Sequence, residues 1–485
     1  MKGCNINLYF WFIRKSSNII IKIFKFNNRN DAIIKLIKYL ILIICFINIG
    51  SNVFAKNLDS DSIFSGGSTT RKIETSDAFS KPAKNLPIKY KKLFSTGNKL
   101  FNTEWNNDAK SEFNGLGPTF NGKSCIICHV KDGRSIPPKI GEKGTKGLVI
   151  FINNFHKKNN EYGRIIDTKS IFDNSFEAIV NIKYKIYKGI FPDGSLYNLS
   201  KPVVKIEKAN FGPIPQELHG RISPAIIGLG LLENIPDKTI IKFSDPEDKN
   251  NDGISGRPNI VNDPITKKRS IGRFGWKAGK ASIHHQVVTA LYDDIGITSE
   301  FLKLNRCPEN QKNCLNEVKK NIIEAKKSEI DALTFYSSVI AVPARRYVTK
   351  KNIQIGKELF IKIGCAKCHI PEIKTGSKYG KKLYFLNNQN IQPYTDLLLQ
   401  DMGEELAEAT SEGIANQSEW RTAPLWGLGL IEKVNGSLRL LHDGRAKNIE
   451  EAIIWHGGEG YISKKNYMNI NKKKRILIIK FLESL

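Results

Sequence analysis

Two pentapeptides constrain this chain more than anything else in it: Cys125-Ile126-Ile127-Cys128-His129 and Cys365-Ala366-Lys367-Cys368-His369, both C-x-x-C-H. The spacing has a chemical cause. On one helical turn, two thiols reach the two vinyl groups of a haem as thioethers while the next residue's imidazole reaches the iron. Paired C-x-x-C knuckles of a zinc site usually stand about 15–20 residues apart, whereas these are separated by most of the chain and each brings its own histidine. A disulfide inside each pair would leave the histidines unexplained. Of the 8 cysteines, Cys4 and Cys45 lie near the N-terminus. Cys307 and Cys314, in CPENQKNC, are the pair suited to a disulfide that closes a short surface loop in an oxidising compartment.

The N-terminus points to such a compartment. Residues 1–55 carry Lys2, Arg14, Lys15, Lys22, Lys25, Arg29, Lys35 and Lys38 against the single acid Asp31, then an apolar run from Tyr39 to Ile49, then Val53-Phe54-Ala55. A basic region, a short apolar core and a small-residue cleavage site together make a secretory signal. At about 11 residues the run is short of the roughly 20 that a membrane span needs, so the signal is expected to be cleaved and the mature chain to be periplasmic. A membrane anchor follows only if the segment is retained. Ile44 before Cys45 argues against lipidation. Lys+Arg 75 against Asp+Glu 47 gives a net charge of +28, but Lys, Ile and Asn crowd the whole chain, and no basic cluster with interleaved aromatics marks a nucleic-acid surface.

At 485 residues, two or three domains are expected. A phrase recurs after each haem motif: Arg221-Ile-Ser-Pro224 with Gly228-Leu-Gly-Leu-Leu-Glu233, and Arg421-Thr-Ala-Pro424 with Gly427-Leu-Gly-Leu-Ile-Glu432. Such self-similarity argues two related haem units. The expected organisation is a signal over 1–55, a polar tether over 56–95, an N-terminal haem domain over 96–301, a connector over 302–350 and a C-terminal haem domain over 351–485. The fold class is mainly α, two tandem cytochrome c-like domains with long loops and a few short strands. Helical apolar spacing marks 328–341, 473–485 and the NIEEAIIWHGG segment, which Asn448 caps and Gly457-Gly458 ends. Gly356-Lys-Glu-Leu-Phe360 announces the second motif, with Gly364 as the helix breaker where backbone and porphyrin approach closely. The VVKI (203–206) and IIKF (240–243) runs are open between strands and core pieces, which periodicity does not separate.

A loop at Asp248-Lys-Asn250-Asn-Asp252-Gly253-Ile254 alternates oxygen side chains and turns on a glycine, as calcium loops do. Asn259 stands where an EF-hand has its bidentate Glu. Calcium and a plain acidic turn are both open.

The phrases between the motifs resemble those of the bacterial di-haem cytochrome c peroxidase superfamily, and in particular its di-haem oxidoreductase branch, sometimes labelled thiol oxidoreductase. The resemblance runs from GLGPTFNGKSCIICHVKDGRSIPP through DGISGRPN, GRFGWKAGKASIHHQ and LTFYSSVIAVPARR to PYTDLLLQDMGEEL, EWRTAPLWGLGL and LHDGRAKNIEEAIIWHGGE. It implies that Cys125, Cys128, Cys365 and Cys368 hold two covalent haems c, with His129 and His369 as proximal iron ligands. In the family a helix after an H-x-G phrase carries the sixth ligand of the C-terminal haem, usually Met. Here the position 14 residues after His442 is His456, which implies bis-His ligation and a lower potential than His/Met would give. Met402 is the rival. The family's bridging tryptophan corresponds to Trp276, with Ile283 and Gln286 completing its phrase. Its catalytic carboxylate corresponds to Asp294, with a two-residue gap and Asp293 as alternate. The distal histidine of the N-terminal haem is not reproduced at its spacing. His156 is the next histidine, and His219, His284 and His285 are further candidates.

The resemblance implies a periplasmic oxidoreductase that reduces peroxide at the His129 haem with electrons passed through the His369 haem from a small donor, a cytochrome or cupredoxin. Alternatives are a plain electron-transfer cytochrome, or oxidation of side chains on a partner protein. No reactive C-x-x-C remains for thiol chemistry once the haems are attached.

Overall fold

Helices and short ladders alternate along the chain. In order, the helices that build the site are α1 (Lys91–Asn102), α2 (Cys125–Cys128), α3 (Asp237–Phe243), α4 (Ile283–Ala290), α5 (Lys327–Val339), α6 (Lys351–Lys362), α7 (Ile449–Trp455) and α8 (Lys472–Ser484). The strands that matter are β1 (Leu148–Ile152), β2 (Ile165–Ile166), β3 (Ala178–Ile190), β4 (Leu196–Ala209), β5 (Leu218–Ile222), β6 (Leu399–Asp401) and β7 (Glu419–Arg421). This computed structural model describes residues 63–152, 161–172, 175–214, 217–303, 306–317 and 323–485. The chain divides into units Met1–Asp61 and Ser62–Leu485, and all described residues belong to the second. The signal expected over 1–55 and His156 lie outside them. Among the described residues no helix is long and apolar enough to cross a membrane.

The two motifs share one construction. α1 lies on α5 through Gly97, where a Cβ would stand 2.3 Å from the Ala332 carbonyl oxygen. α6 lies on α8 through Gly356, where a Cβ would stand 2.1 Å from the Leu477 carbonyl oxygen. Only a hydrogen fits at either contact, so the backbones approach closely. Three and four residues on, each helix places Leu-Phe: Leu100-Phe101 and Leu359-Phe360. Phe101 packs on Tyr336 of α5 with ring centroids 5.3 Å apart, and Phe360 on Phe481 of α8, also at 5.3 Å. α7 starts on the Asn448 side chain, which accepts from the Glu451 amide, and Glu450 and Glu451 in its first turn face the positive helix end.

The ladders are antiparallel. β1 pairs with β2 on one side and β5 on the other, Ile150 opposite Ile166 and Gly220. β6 pairs with β7, Leu399 opposite Arg421. β3 and β4 form a hairpin from Ala178↔Ala209 to Ile190↔Leu196, with one register shift between Ile179 and Val180. Its turn is tied to α8 by the buried Arg475, which lies 2.9 Å from Asp193 and 3.8 Å over the Phe191 ring.

Several expectations need correction. The strands are not all short: the β3–β4 hairpin runs for 13 and 14 residues, because alternating apolar residues such as Ile182 and Val204 bury one face. VVKI lies within β4 and IIKF closes α3, so the two runs take opposite states. From residue 63 on, the stretch expected as a tether is packed: Ala78 and Phe79 are 0% exposed, and backbone bonds tie Arg71 to Val342 and Ala83 to Val339. A few apolar residues in a polar segment suffice when a core groove receives them. Within the expected connector, α5 is a core helix, with Ile330, Leu333 and Tyr336 buried. The Cys307–Cys314 disulfide is present, with Cα atoms 5.6 Å apart.

Candidate functional site

Two cavities open beside the two motifs. The first, about 270 Å³, is lined by Cys125, Cys128 and His129 and by the turn that follows α4. That turn, Leu291–Ile295, is π-helical and ends on Gly296 with φ 79°. Such wide turns are rare and cluster at functional sites. This one points both Asp293 and Asp294 into the cavity. Burial first, and then the neighbouring Asp293, push the Asp294 carboxyl up to about 7, against the opposing charge of Arg306. Arg306 donates to the Asp293 carbonyl at 2.6 Å and pairs with Asp167.

Burial holds the His129 imidazole at about 4, so the ring is neutral near pH 7, the state in which it can ligate iron. Phe101 lies 6.0 Å from it. Cys125 and Cys128 are free thiols, pushed up to about 12 by burial. A thiol held protonated is a poor nucleophile, which is a physical reason to set aside the thiol-oxidoreductase label. Among the described residues, His129 is the histidine that lines this cavity. His219 accepts from the Ala409 amide at 2.8 Å, His285 sits near Asp263, and His284 packs edge-on against Phe301.

The second cavity, about 190 Å³, is lined by Cys365, Cys368, His369 and His456. The Nδ1 atoms of His369 and His456 lie 2.9 Å and 2.7 Å from the carbonyl oxygens of Tyr394 and Ala452. Each carbonyl selects the tautomer that carries its proton on Nδ1 and leaves Nε2 with a lone pair, the arrangement of a ligating histidine. Burial lowers the pKa of both rings, His369 to about 4. Phe360 stands 6.3 Å from His369, repeating the Phe101–His129 contact. Met402 lines the same cavity, and it and His456 flank Gly460, so the two rivals for sixth ligand sit together. His442 of the H-x-G phrase is stacked on Trp420, centroids 3.7 Å apart. The residues present therefore fit two haems: at each motif a thiol pair and a neutral imidazole, with an apolar cavity beside them.

Trp276, expected as the bridge, lines both cavities and is 8% exposed. Its Nε1 donates to the Ile222 carbonyl at 2.7 Å, which fixes the ring. The Arg421 amide donates back to the Trp276 carbonyl. Ile283 and Gln286, on α4, line the first cavity, so α4 carries one face of it from the tryptophan phrase to the acidic turn.

The Asp248 loop folds onto itself. Asp248 accepts from the amides of Asp252 and Gly253, Asn250 from Asp252, and Asp252 from Ile254, while Asp252 also pairs with Lys367 at 3.1 Å. Among the described residues no group of three His, Cys, Asp or Glu side chains is placed to hold a metal ion. As folded, the loop is an acidic turn whose oxygens already have partners, and calcium gains no support from it.

Sequence reasoning missed two things. The Gly97–Leu100–Phe101 phrase before the first motif matches Gly356–Leu359–Phe360 before the second, and aligning the halves would have found it. The charged wall of the first cavity was not foreseen: Glu412 takes Arg221 as a partner, Arg164 at 3.7 Å and Lys280 at 3.6 Å. Burial would raise the Glu412 carboxyl, but these three cations hold it well below the usual range. No sequence signal joins residues so far apart.

A family model described as "Di-haem oxidoreductase, putative peroxidase" matches residues 60–155 and 152–485. Among solved structures, the chain is similar to a xenon-pressurised hydrazine synthase of Kuenenia stuttgartiensis, with TM-score 0.33 and 11% identity, covering 86% of this chain and 96% of that one. It is also similar to a MauG-like protein associated with microbial copper homeostasis, with TM-score 0.27 and 15% identity, covering 57% and 94%. At those scores neither likeness bears on the fold. No curated protein matches the chain.

Proposed function

The chain belongs to the di-haem oxidoreductase family, and from that premise we propose that it is a periplasmic peroxidase-type enzyme with two covalently attached haems. It takes peroxide at the His129 cavity and receives electrons through the His369/His456 cavity from a small redox protein. The observation that carries this reading is the asymmetry of the cavities. The first is lined by its motif together with Asp293 and Asp294, and the second by its motif together with a second histidine, His456. When bound, the haems supply the redox chemistry, O–O cleavage at one iron and electron storage at the other.

The protein's own groups have distinct tasks. Asp294, ionised on about half of the molecules near pH 7, accepts a proton from the peroxide at its carboxylate oxygen and returns it to the departing oxygen. Asp293 sustains that pKa. Arg164 and Lys280, bound to Glu412, place positive charge on the same cavity and favour an anionic or polar oxidant. Trp276, held between the cavities by Ile222, is the route for electrons. The secretory signal supports the periplasm, and the chain stays strongly basic after residues 1–55 are removed, which favours an acidic donor.

The test is the EPR spectrum of the ferric protein, expressed with its export signal and loaded with two haems per chain. One high-spin and one low-spin signal are expected. Two low-spin signals, unchanged after partial reduction, would overturn the peroxidase reading in favour of electron transfer.

A further inference from the structure

Two arginines stand where a counter-charge is missing. Arg134 and Arg421 each line both cavities. The recurring R-x-x-P phrase puts an arginine at equivalent places in the two halves, and the two have different partners. Arg221 takes Glu408 and Glu412, whereas Arg421 donates to backbone carbonyls, Gly275 at 3.0 Å and Thr422 at 3.2 Å. The Nε of Arg134 is buried with no hydrogen-bond partner, and its guanidinium lies 5.6 Å over the Trp276 ring. Burial pulls both guanidinium groups down to about 10, and they repel one another. The acid nearest in effect to Arg421 is Asp396, itself raised to about 7 by burial and so half-protonated there. Like charges buried side by side are costly unless an anion joins them.

We propose that Arg134 and Arg421 form one anion clamp, shared by the two cavities, that holds propionate carboxylates of both haems at the Trp276 wall. The inference rests on the di-haem reading and goes beyond it, since that reading needs only the thioethers and the axial histidines. A guanidinium meets a carboxylate through two parallel N–H donors, and the cavities present no other such group in common. The same cations favour the electron-richer state of either site and so raise both reduction potentials.

The test uses the full chain, exported and haem-loaded, as wild type, Arg134→Gln, Arg421→Gln, the double Gln variant and the two Arg→Lys variants. Haem per chain comes from the pyridine haemochrome, propionate hydrogen bonding from the propionate-bending bands in resonance Raman, and both midpoint potentials from redox titration. Because attachment runs through cysteines, two haems are expected in every variant. The Gln variants should shift the propionate bands and lower both potentials. The Lys variants should keep the potentials near wild type while still shifting the bands, since an ammonium cannot reproduce the paired donors. Unchanged bands and potentials in the loaded double variant would overturn the clamp. If the Gln variants fail to accumulate, unchanged bands in the Lys variants overturn it equally. A wild-type chain with fewer than two haems would overturn the di-haem reading, and the clamp with it, before any variant is compared.

Discussion

Asp294 titrates where the chemistry needs it because of its neighbours. Burial and Asp293 raise its carboxyl to about 7, while Arg306 and Arg164 pull the other way. On the proposed peroxidase function the ionised form is the one that accepts the peroxide proton, so peroxide turnover should rise with pH through about 7 and fall below it, as a pH profile of kcat/KM would show. Asp294→Asn should lower kcat by about 10²–10⁴, the usual worth of a positioned acid–base group, with both haem spectra unchanged. Steady-state assay with a reduced donor checks this. Asp293→Asn removes the negative charge that lifts its neighbour, so the inflection should move to lower pH while turnover above it persists. An inflection that stays in place would assign the titration to another group.

Each motif is presented by a helix that can approach its partner only at a glycine. A methyl group at Gly97 or Gly356 meets a carbonyl oxygen of the facing helix at 2.3 or 2.1 Å, so α1 or α6 must move outward. Overpacking of this kind costs about 1–3 kcal/mol, more than the roughly 1 kcal/mol that Ala returns as a better helix former than Gly. Gly97→Ala and Gly356→Ala should therefore lower the midpoint of denaturant unfolding. Each should also broaden the absorption of the haem at its own motif, because Phe101 and Phe360, one turn on, set the packing at His129 and His369. A broadening at the opposite motif would break the link between helix pair and site.

Across the whole molecule, the decisive feature is the wall the two cavities share. Arg134 and Trp276 precede the second haem motif in the chain and Arg421 follows it, and all three line both cavities. Trp276→Phe keeps an apolar ring but loses the indole donor to Ile222. Electron transfer between the sites should slow about tenfold, the effect of about 1.4 kcal/mol on a barrier, with both potentials retained. Stopped-flow mixing of the half-reduced protein with peroxide measures it. An unchanged rate would place the route elsewhere.

The amino-acid sequence by itself determined whatever depends on residues close in the chain. The haem motifs need only one helical turn, the Asn448 cap only three residues, and the Cys307–Cys314 bridge a single loop, so spacing carries the chemistry. The recurring R-x-x-P and G-L-G-L phrases likewise made a doubled construction legible, though the Gly97–Phe101 copy went unread because its flanking residues differ. Tertiary structure alone decided which long-range neighbours each group acquires. Asp294 owes its pKa to Asp293 beside it but also to Arg306 and to Asp167 and Arg164, which lie far back in the chain. Arg221 and Arg421 read alike as sequence, yet one meets carboxylates and the other carbonyls. The same holds for the 63–95 segment, whose polar composition reads as a tether until a core groove takes up Ala78 and Phe79. Burial and charge are properties of a neighbourhood that closes only on folding, and local pattern cannot encode who arrives there.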